Sequence, residues 1–361
     1  MFLMIQKEIK KTFADKKRII IFFLGMVALI LYTLSKAPSR YINRAIEHDK
    51  IFYLEILDRV GGEYSKEKNA ELSDISDEME AESKIYGDLE IRDYFKGINI
   101  LDKMEVYNNQ KYTAANRVTL DYIKMQMRYV KTDVAGRRLI YQNGWIELVE
   151  KSGIGAVSAI LSWMFGMMIM AGDYDSGMHN LTNACINGKK KHYYAKIGAT
   201  IIIVLLIHLV ELIVRLVRIS VQYGIRDIKS PMRSVSLFGY SPMNVSLLMM
   251  TVILLLIKIV GLLFCVGLVA VITVIVKNSV KVTFVFAGIL LFIRYIVPQK
   301  VAFMTGIGMY SGKEYIEGIT SVADMEKIYF SNGVLFSIGI ANLVAFLALC
   351  YVGGCIYAKK D

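Results

Sequence analysis

His208, Glu211 and Arg215 fall three and four residues apart inside an otherwise apolar run, a spacing that stacks them on one face of a helix. Such a set can form ion pairs or begin a metal site. A metal would need at least one more ligand at that level, and His48, His179 and His192 all lie outside the apolar runs, so no metal site is expected. Gly308 to Lys313 reads GMYSGK, which is close to a phosphate-binding loop. Its glycines are one residue too close together, however, and Glu314 stands where a hydroxyl is required. Without another such loop, ATP hydrolysis would have to belong to a separate chain, and this one is expected not to be an enzyme. The four cysteines, Cys185, Cys265, Cys350 and Cys355, contain no CxxC pair and read as small packing residues.

The elements that position these residues are apolar runs at 19–35, 152–172, 196–218, 245–276, 282–297 and 333–357, in a chain that is 55% hydrophobic. A bilayer core of about 30 Å takes roughly 20 helical residues to cross, so these lengths predict an all-α membrane protein with six transmembrane helices, the first and fifth the shortest. The fourth run would span about 48 Å as a helix, and is expected to be one tilted or kinked span.

Lysine and arginine resist translocation, which sets the orientation. With the N-terminus inside, Lys7, Lys10, Lys11, Lys16, Lys17 and Arg18, then Lys189 to Lys191 and Lys196, then Lys277 and Lys281, and finally Lys359 and Lys360 all fall on the inner face. Both termini are therefore expected to be cytoplasmic, with the turn 277–281 and the tail 358–361 inside and the loops 219–244 and 298–332 outside. From Lys36 to Lys151 the chain has 19 basic and 21 acidic residues, so the net charge of +11 comes from elsewhere. The surplus follows topology and does not imply a nucleic-acid partner.

By helical rise, Glu211 stands about 22 Å above the nearest inner lysine, Arg294 about 20 Å and Lys258 about 28 Å. An unpaired charge at that depth costs at least a few kcal/mol, so Glu211 is expected to pair with Arg215, Arg294 or Lys258. A cluster contacting anionic cargo or headgroups is the alternative.

Residues 1–18 carry Phe2, Ile5, Ile9 and Phe13 at helical spacing opposite Lys7, Lys10, Lys11 and Lys17, as in a helix lying in the inner interface. Residues 36–151 form a large extracellular insertion between the first and second spans, with helices expected around 42–60, 67–89 and 113–134. Gly61-Gly62 should break the first from the second, and Gly136 and Asn143-Gly144 should mark turns. With no cysteine in it, this region must be stable without disulfides.

The inner segment 173–195 is the most informative. It leaves the second span as Asp173-Tyr174-Asp175-Ser176-Gly177-Met178, continues through Asn180 and Leu181, and returns by Gly188-Lys189-Lys190 to Ala195-Lys196. Acidic residues at the exit, a short apolar-polar stretch and a basic re-entry predict a compact structured loop.

Here the chain resembles the membrane subunits of type-2 ABC exporters. The resemblance lies in the acidic-aromatic-acidic-x-Gly exit of Asp173 to Gly177, the Gly-basic re-entry at Gly188-Lys189-Lys190, and the basic amphipathic leader. It extends to the long fourth span closing on Lys277-Asn278, to Ser230-Pro231-Met232 and Ser241-Pro242-Met243 before that span, and to Asn143-Gly144-Trp145 before the second. Asp173 and Asp175 stand where that family is expected to have glutamates.

The resemblance implies a dimer, with a second copy of the chain or a related membrane subunit, that binds ABC ATPase subunits. ATP and Mg would be held by those partners, and this chain would bind no cofactor. The ATPase-coupling residues would be Asp173, Tyr174, Asp175, Ser176, Gly177, Met178, Asn180, Leu181, Gly188, Lys189 and Lys190. It places the pathway along the second and fifth spans, at Trp163, Met164, Met167 and Met168 and at Phe284, Phe286 and Phe292. Cargo would be a peptide, an antibiotic or a lipid-like molecule. Separately, the lack of cysteines in the outer region and the lysine-rich composition fit a bacterial plasma membrane. The other reading of the chain is a membrane-embedded sensor or scaffold whose extracellular helical domain captures a ligand.

Overall fold

The computed structural model describes residues 1–14, 16–42, 50–87, 100–153, 155–177, 189–310, 314–320 and 327–359. In chain order its helices are α1 (Phe2–Thr12), α2 (Lys16–Ser35), α3 (Lys50–Val60), α4 (Lys66–Gly87), α5 (Ile100–Lys131), α6 (Asn143–Glu150) and α7 (Ala156–Asp175). They continue as α8 (Lys189–Gln222), α9 (Leu247–Val276), α10 (Ser279–Tyr295), α11 (Gln299–Met304), α12 (Glu314–Glu317) and α13 (Asn332–Lys359). A two-residue antiparallel pair, β1 (Ile319–Thr320) and β2 (Lys327–Ile328), aligns Ile319 with Ile328.

Two compact units are present. One consists of Met1–Ala37, Leu148–Val221 and Thr251–Asp361, the other of Pro38–Glu147 and Gln222–Met250. Five helices, α2, α7, α8, α9 and α13, are long and apolar enough to cross a membrane, which is compatible with a multi-pass membrane protein.

The expected fifth span, 282–297, is not among them. It overlaps α10, which ends two residues short of it at Tyr295 and whose 17 residues rise only about 26 Å. Asn278 fixes its start by accepting the Lys281 N–H at 3.0 Å, and the helix ends at Tyr295, shortly before Pro298. The fourth run, by contrast, is one unbroken helix, α9, of 30 residues.

In the first unit α7 is the shared wall of three cores. Met170 packs with Tyr193 and Ile197 of α8, Val266 and Ala270 of α9, and Phe346 and Tyr357 of α13. Leu161, Phe165 and Ile169 meet Leu29 of α2 and Ala199, Ile203 and Ile207 of α8. Met167 meets Cys265 and Val269 of α9 and Val282 and Phe286 of α10. A helix of small and adaptable residues suits this central position, because neighbours can approach it from several sides.

The leader is not one helix over 1–18: α1 ends at Thr12 and α2 begins at Lys16. Ile5, Ile9 and Phe13 lean on the core of Leu29 and Phe165, whereas Phe2 is 68% exposed and takes no part in it. Many apolar side chains of α2, such as Phe23, Leu24 and Leu31, also face outward, as a lipid-facing helix would require.

The second unit packs α3, α4 and α5 around Tyr53, Val60, Leu72, Ile75, Ile123 and Met127. Tyr53 donates its hydroxyl to Gln126 Oε1 at 2.8 Å. The chain turns at Gly61-Gly62, where Gly62 pairs its backbone with Leu139, and again before Gly136, whose N–H reaches Asp133. Asn143-Gly144 does not form the expected turn: it is the first turn of α6. Asparagine is as favourable at a helix start as in a turn, and Gln142 accepts the N–H groups of Trp145 and Ile146 to close that first turn.

Candidate functional site

Asp173, near the end of α7, is 3% exposed and is the centre of an ion network. Its Oδ1 accepts the Lys11 ammonium from α1. Its Oδ2 accepts Lys196 Nζ at 2.7 Å and His192 Nε2 at 2.8 Å, both from α8. Lys196 also donates to the Met170 carbonyl at 3.2 Å, and His192 Nδ1 lies 3.6 Å from Glu8 of α1. The spacing of His192 and Lys196, one helical turn, presents both to the same carboxylate. Three helices thus converge on one buried aspartate.

The neighbouring residues have separate tasks. Tyr174 packs beside Tyr193 and Tyr357. Asp175 Oδ1 accepts the N–H of Ser279 at 3.3 Å, joining the end of α7 to the start of α10. Ser176 donates its hydroxyl to Gly172 O at 2.8 Å, and Gly177 closes the helix at φ +71°, a left-handed conformation in which a side chain would be strained. Lys189 and Lys190 open α8, which starts well before the expected boundary at 196. Met178, Asn180, Leu181 and Gly188 lie outside the described residues.

Glu8, Asp173 and His192 bring potential metal-ligating atoms within 4.8 Å of one another. The ammonium groups of Lys11 and Lys196 already contact both oxygens of Asp173, so a divalent cation there would meet two positive charges at close range. The cluster is built as an ion-pair anchor.

A second network surrounds Glu211, 1% exposed on α8. Its Oε1 accepts Arg215 and the Gly155 N–H, the latter at 3.0 Å; its Oε2 accepts Ser158 Oγ at 2.8 Å and His208 Nδ1 at 3.3 Å, with Lys258 Nζ of α9 at 3.5 Å. Ser162 lies 3.2 Å from His208 Nε2, and Arg215 also donates to Gly153 O at 3.1 Å. Of the residues singled out by sequence, Glu211, Arg215 and Lys258 come together; the side chain of Arg294 lies outside the described residues.

The apolar residues assigned to a pathway do not share one surface. Trp163 meets Phe286 edge to face, 5.4 Å between ring centres, and Met167 accepts the Thr283 hydroxyl on the same side of α7. Met164 and Met168 turn toward α2 and α8. Phe284 and Phe292 are 74% and 53% exposed and point away from the core. Between α7, α8 and α9 a cavity of about 20 Å³, lined by Ser162, Trp163, Gly166, Thr200 and Val204, has room for about one water.

Sequence reasoning did not find the convergence on Asp173, although the i,i+4 pair His192–Lys196 on a helix face was a usable signal. It also missed Gly155 and Ser158, whose roles depend on the approach of α7 to α8. Comparison with family models, with curated proteins and with solved structures finds no match.

Proposed function

We propose that this chain is the membrane-spanning subunit of an ATP-driven exporter of the type-2 ABC class. In this reading six helices cross the bilayer, α10 completing the set with the residues beside it, both termini are cytoplasmic, and residues 36–151 form the extracellular insertion. The segment 173–195 seats on a separate ATPase subunit that holds ATP and Mg, and a second membrane subunit completes the unit. The pathway runs beside α7 and α10, where Trp163, Met167 and Phe286 gather, for a peptide, antibiotic or lipid-like cargo.

The observation that carries this reading is the buried carboxylate of Asp173. A loop that is to receive a push must have stiff ends, and its first end is held by Lys11, Lys196 and His192, while Asp175 reaches the start of α10. Displacement of the segment after Gly177 would therefore move α1, α7, α8 and α10 together, the kind of rigid-body shift by which a motor opens a route elsewhere. Ion pairs of this burial resist bending because separating them exposes unpaired charge.

The test is co-purification of the full chain with an ATPase and measurement of vanadate-sensitive hydrolysis. An exporter subunit retains the ATPase and stimulates it, and Asp173→Asn with Asp175→Asn lowers the stimulation by about tenfold at unchanged ATPase binding to nucleotide. Capture of a ligand by residues 36–151 with no ATPase bound would instead favour the sensor or scaffold, and turnover by the isolated chain would overturn both.

A further inference from the structure

Positive charge is in excess around Glu211. Lys36, Lys151, Arg215, Arg218 and Lys258 gather in the same unit as Glu211 and Glu150. Arg215 lies on Glu211 and Gly153 O, and Arg218 on Thr33 O at 3.0 Å, so both guanidinium groups are engaged. The two lysines are in a different position. Lys258 is 7% exposed on the apolar helix α9, and among the described residues its ammonium has a single partner, the Glu211 carboxylate at 3.5 Å. An ammonium has three donors, and burying it with one long contact leaves most of its desolvation cost uncompensated. Glu211 cannot offer more, because its oxygens already accept from Gly155, Ser158, His208 and Arg215.

Lys36, just past the end of α2, sits 5.1 Å over the Tyr32 ring and has no carboxylate partner among the described residues. Its ammonium is pushed below the usual lysine range, by burial first and then by Arg215; Glu211 raises it, and Lys151 and Arg218 lower it again. Arg218 reaches Thr33 O, three residues before Lys36, and Arg215 on the same helix reaches Glu211, so Lys36 stands at the same end of the unit as Glu211 and Lys258.

The geometry points to a binding site for a phosphate oxyanion, that of an anionic phospholipid headgroup, held by Lys36 and Lys258 at the end of the first unit opposite Asp173. Phosphate supplies several acceptors that can meet a lysine without fixed direction, which suits two flexible ammonium groups. The level also agrees. Glu211 is about 22 Å along α8 from Lys196, and Lys258 about 27 Å along α9 from Val276, near the far edge of a hydrocarbon core about 30 Å thick where lipid phosphates begin. Lys36, just past the end of α2 and only partly buried, can reach the headgroups, while Lys258 faces the site from within. The inference needs the helices to span a membrane, but not the exporter assignment.

The experiment is lipid retention by the full chain, released from bilayers of equal phosphatidylglycerol and phosphatidylcholine and read by native mass spectrometry. The wild type should retain phosphatidylglycerol about tenfold over phosphatidylcholine, and Lys36→Gln and Lys258→Met should each remove most of that preference, whereas Lys7→Gln should keep it. If Lys258→Met does not fold, Lys36→Gln decides alone, since among the described residues Lys36 makes no hydrogen bond or ion pair to Glu211. Equal retention of the two lipids by the wild type, or an unchanged preference in Lys36→Gln, would overturn the site. Displacement of the bound lipid by millimolar inorganic phosphate would assign the site to a soluble oxyanion and overturn the lipid assignment.

Discussion

Lys196 places its ammonium 2.7 Å from the carboxylate of Asp173, and the two side chains are 2% and 3% exposed. This pair joins α7 to α8 at the base of the segment that follows Gly177, and its burial decides how it responds to change. Removing one member leaves the other charged and enclosed. Asp173→Leu or Lys196→Met alone should lower stability by about 3 kcal/mol or more, whereas Asp173→Leu with Lys196→Met should recover a large part of the loss. Thermal unfolding of the four proteins in one detergent measures the coupling; additive losses would count against the pair as the anchor.

Gly155 shows the same logic through backbone spacing. A Cβ at this position would stand 2.8 Å from Glu211 Oε1, while the Gly155 N–H must stay within 3.0 Å of that atom. Gly155→Ala should therefore displace the carboxylate and cost about 1–3 kcal/mol, as overpacking at a close contact does. Gly172→Ala, inside the helix α7 that Gly155 caps, serves as the comparison, since nothing lies within 4 Å of its added methyl. Helix propensity favours alanine there, so its unfolding temperature should hold or rise.

Glu211 is the hinge of its own network. Glu211→Gln keeps the shape but removes the negative charge that Arg215 and Lys258 contact, and a loss of at least a few kcal/mol is expected. Adding Lys258→Met to Glu211→Gln removes one of the stranded charges and should restore part of the stability. A double variant less stable than Glu211→Gln alone, in the same unfolding assay, would show that Lys258 is held by something other than Glu211.

How far these networks could be read from sequence follows from distance along the chain. Glu211 and Arg215 are one helical turn apart, so a helical reading of the apolar run already places them together. Lys258 could be matched to Glu211 only through depth, since two helices that run through one membrane bring equal heights to the same level. Nothing local connects Lys11 to Asp173, because that contact depends on how α1 folds back along α7. The acidic-aromatic-acidic exit was visible, yet the inward turn of Asp173 was not, as an aspartate at a helix end is as often solvated as buried. Asn143-Gly144 failed for a different reason: the same dipeptide suits a turn and a helix start, and Gln142 rather than the pair itself settles it. The bounds of α10 also shifted, from the expected 282–297 to Ser279–Tyr295, since Asn278 caps an earlier start and the backbone stops at Tyr295 ahead of Pro298.

Gln142 offers a test confined to the second unit. Its Nε2 donates to Ser234 O at 3.0 Å, and its Oε1 accepts from Ser236 N at 3.2 Å and Ser236 Oγ at 3.0 Å, all with the side chain buried. One amide therefore pins the two short helical turns Met232–Ser234 and Ser236–Phe238. Gln142→Leu fills similar space but leaves a carbonyl and an N–H without partners, at about 1–3 kcal/mol for each buried group. Gln142→Glu keeps both acceptor contacts and loses only the donor, so its loss should be smaller unless the buried charge outweighs it. Hydrogen exchange on the full chain reads the effect locally: the amides of Met232 to Phe238 should exchange faster in Gln142→Leu, while those of α7 and α8 stay at the wild-type rate. Faster exchange spread evenly over both units would mean that Gln142 supports the whole fold and not these two turns.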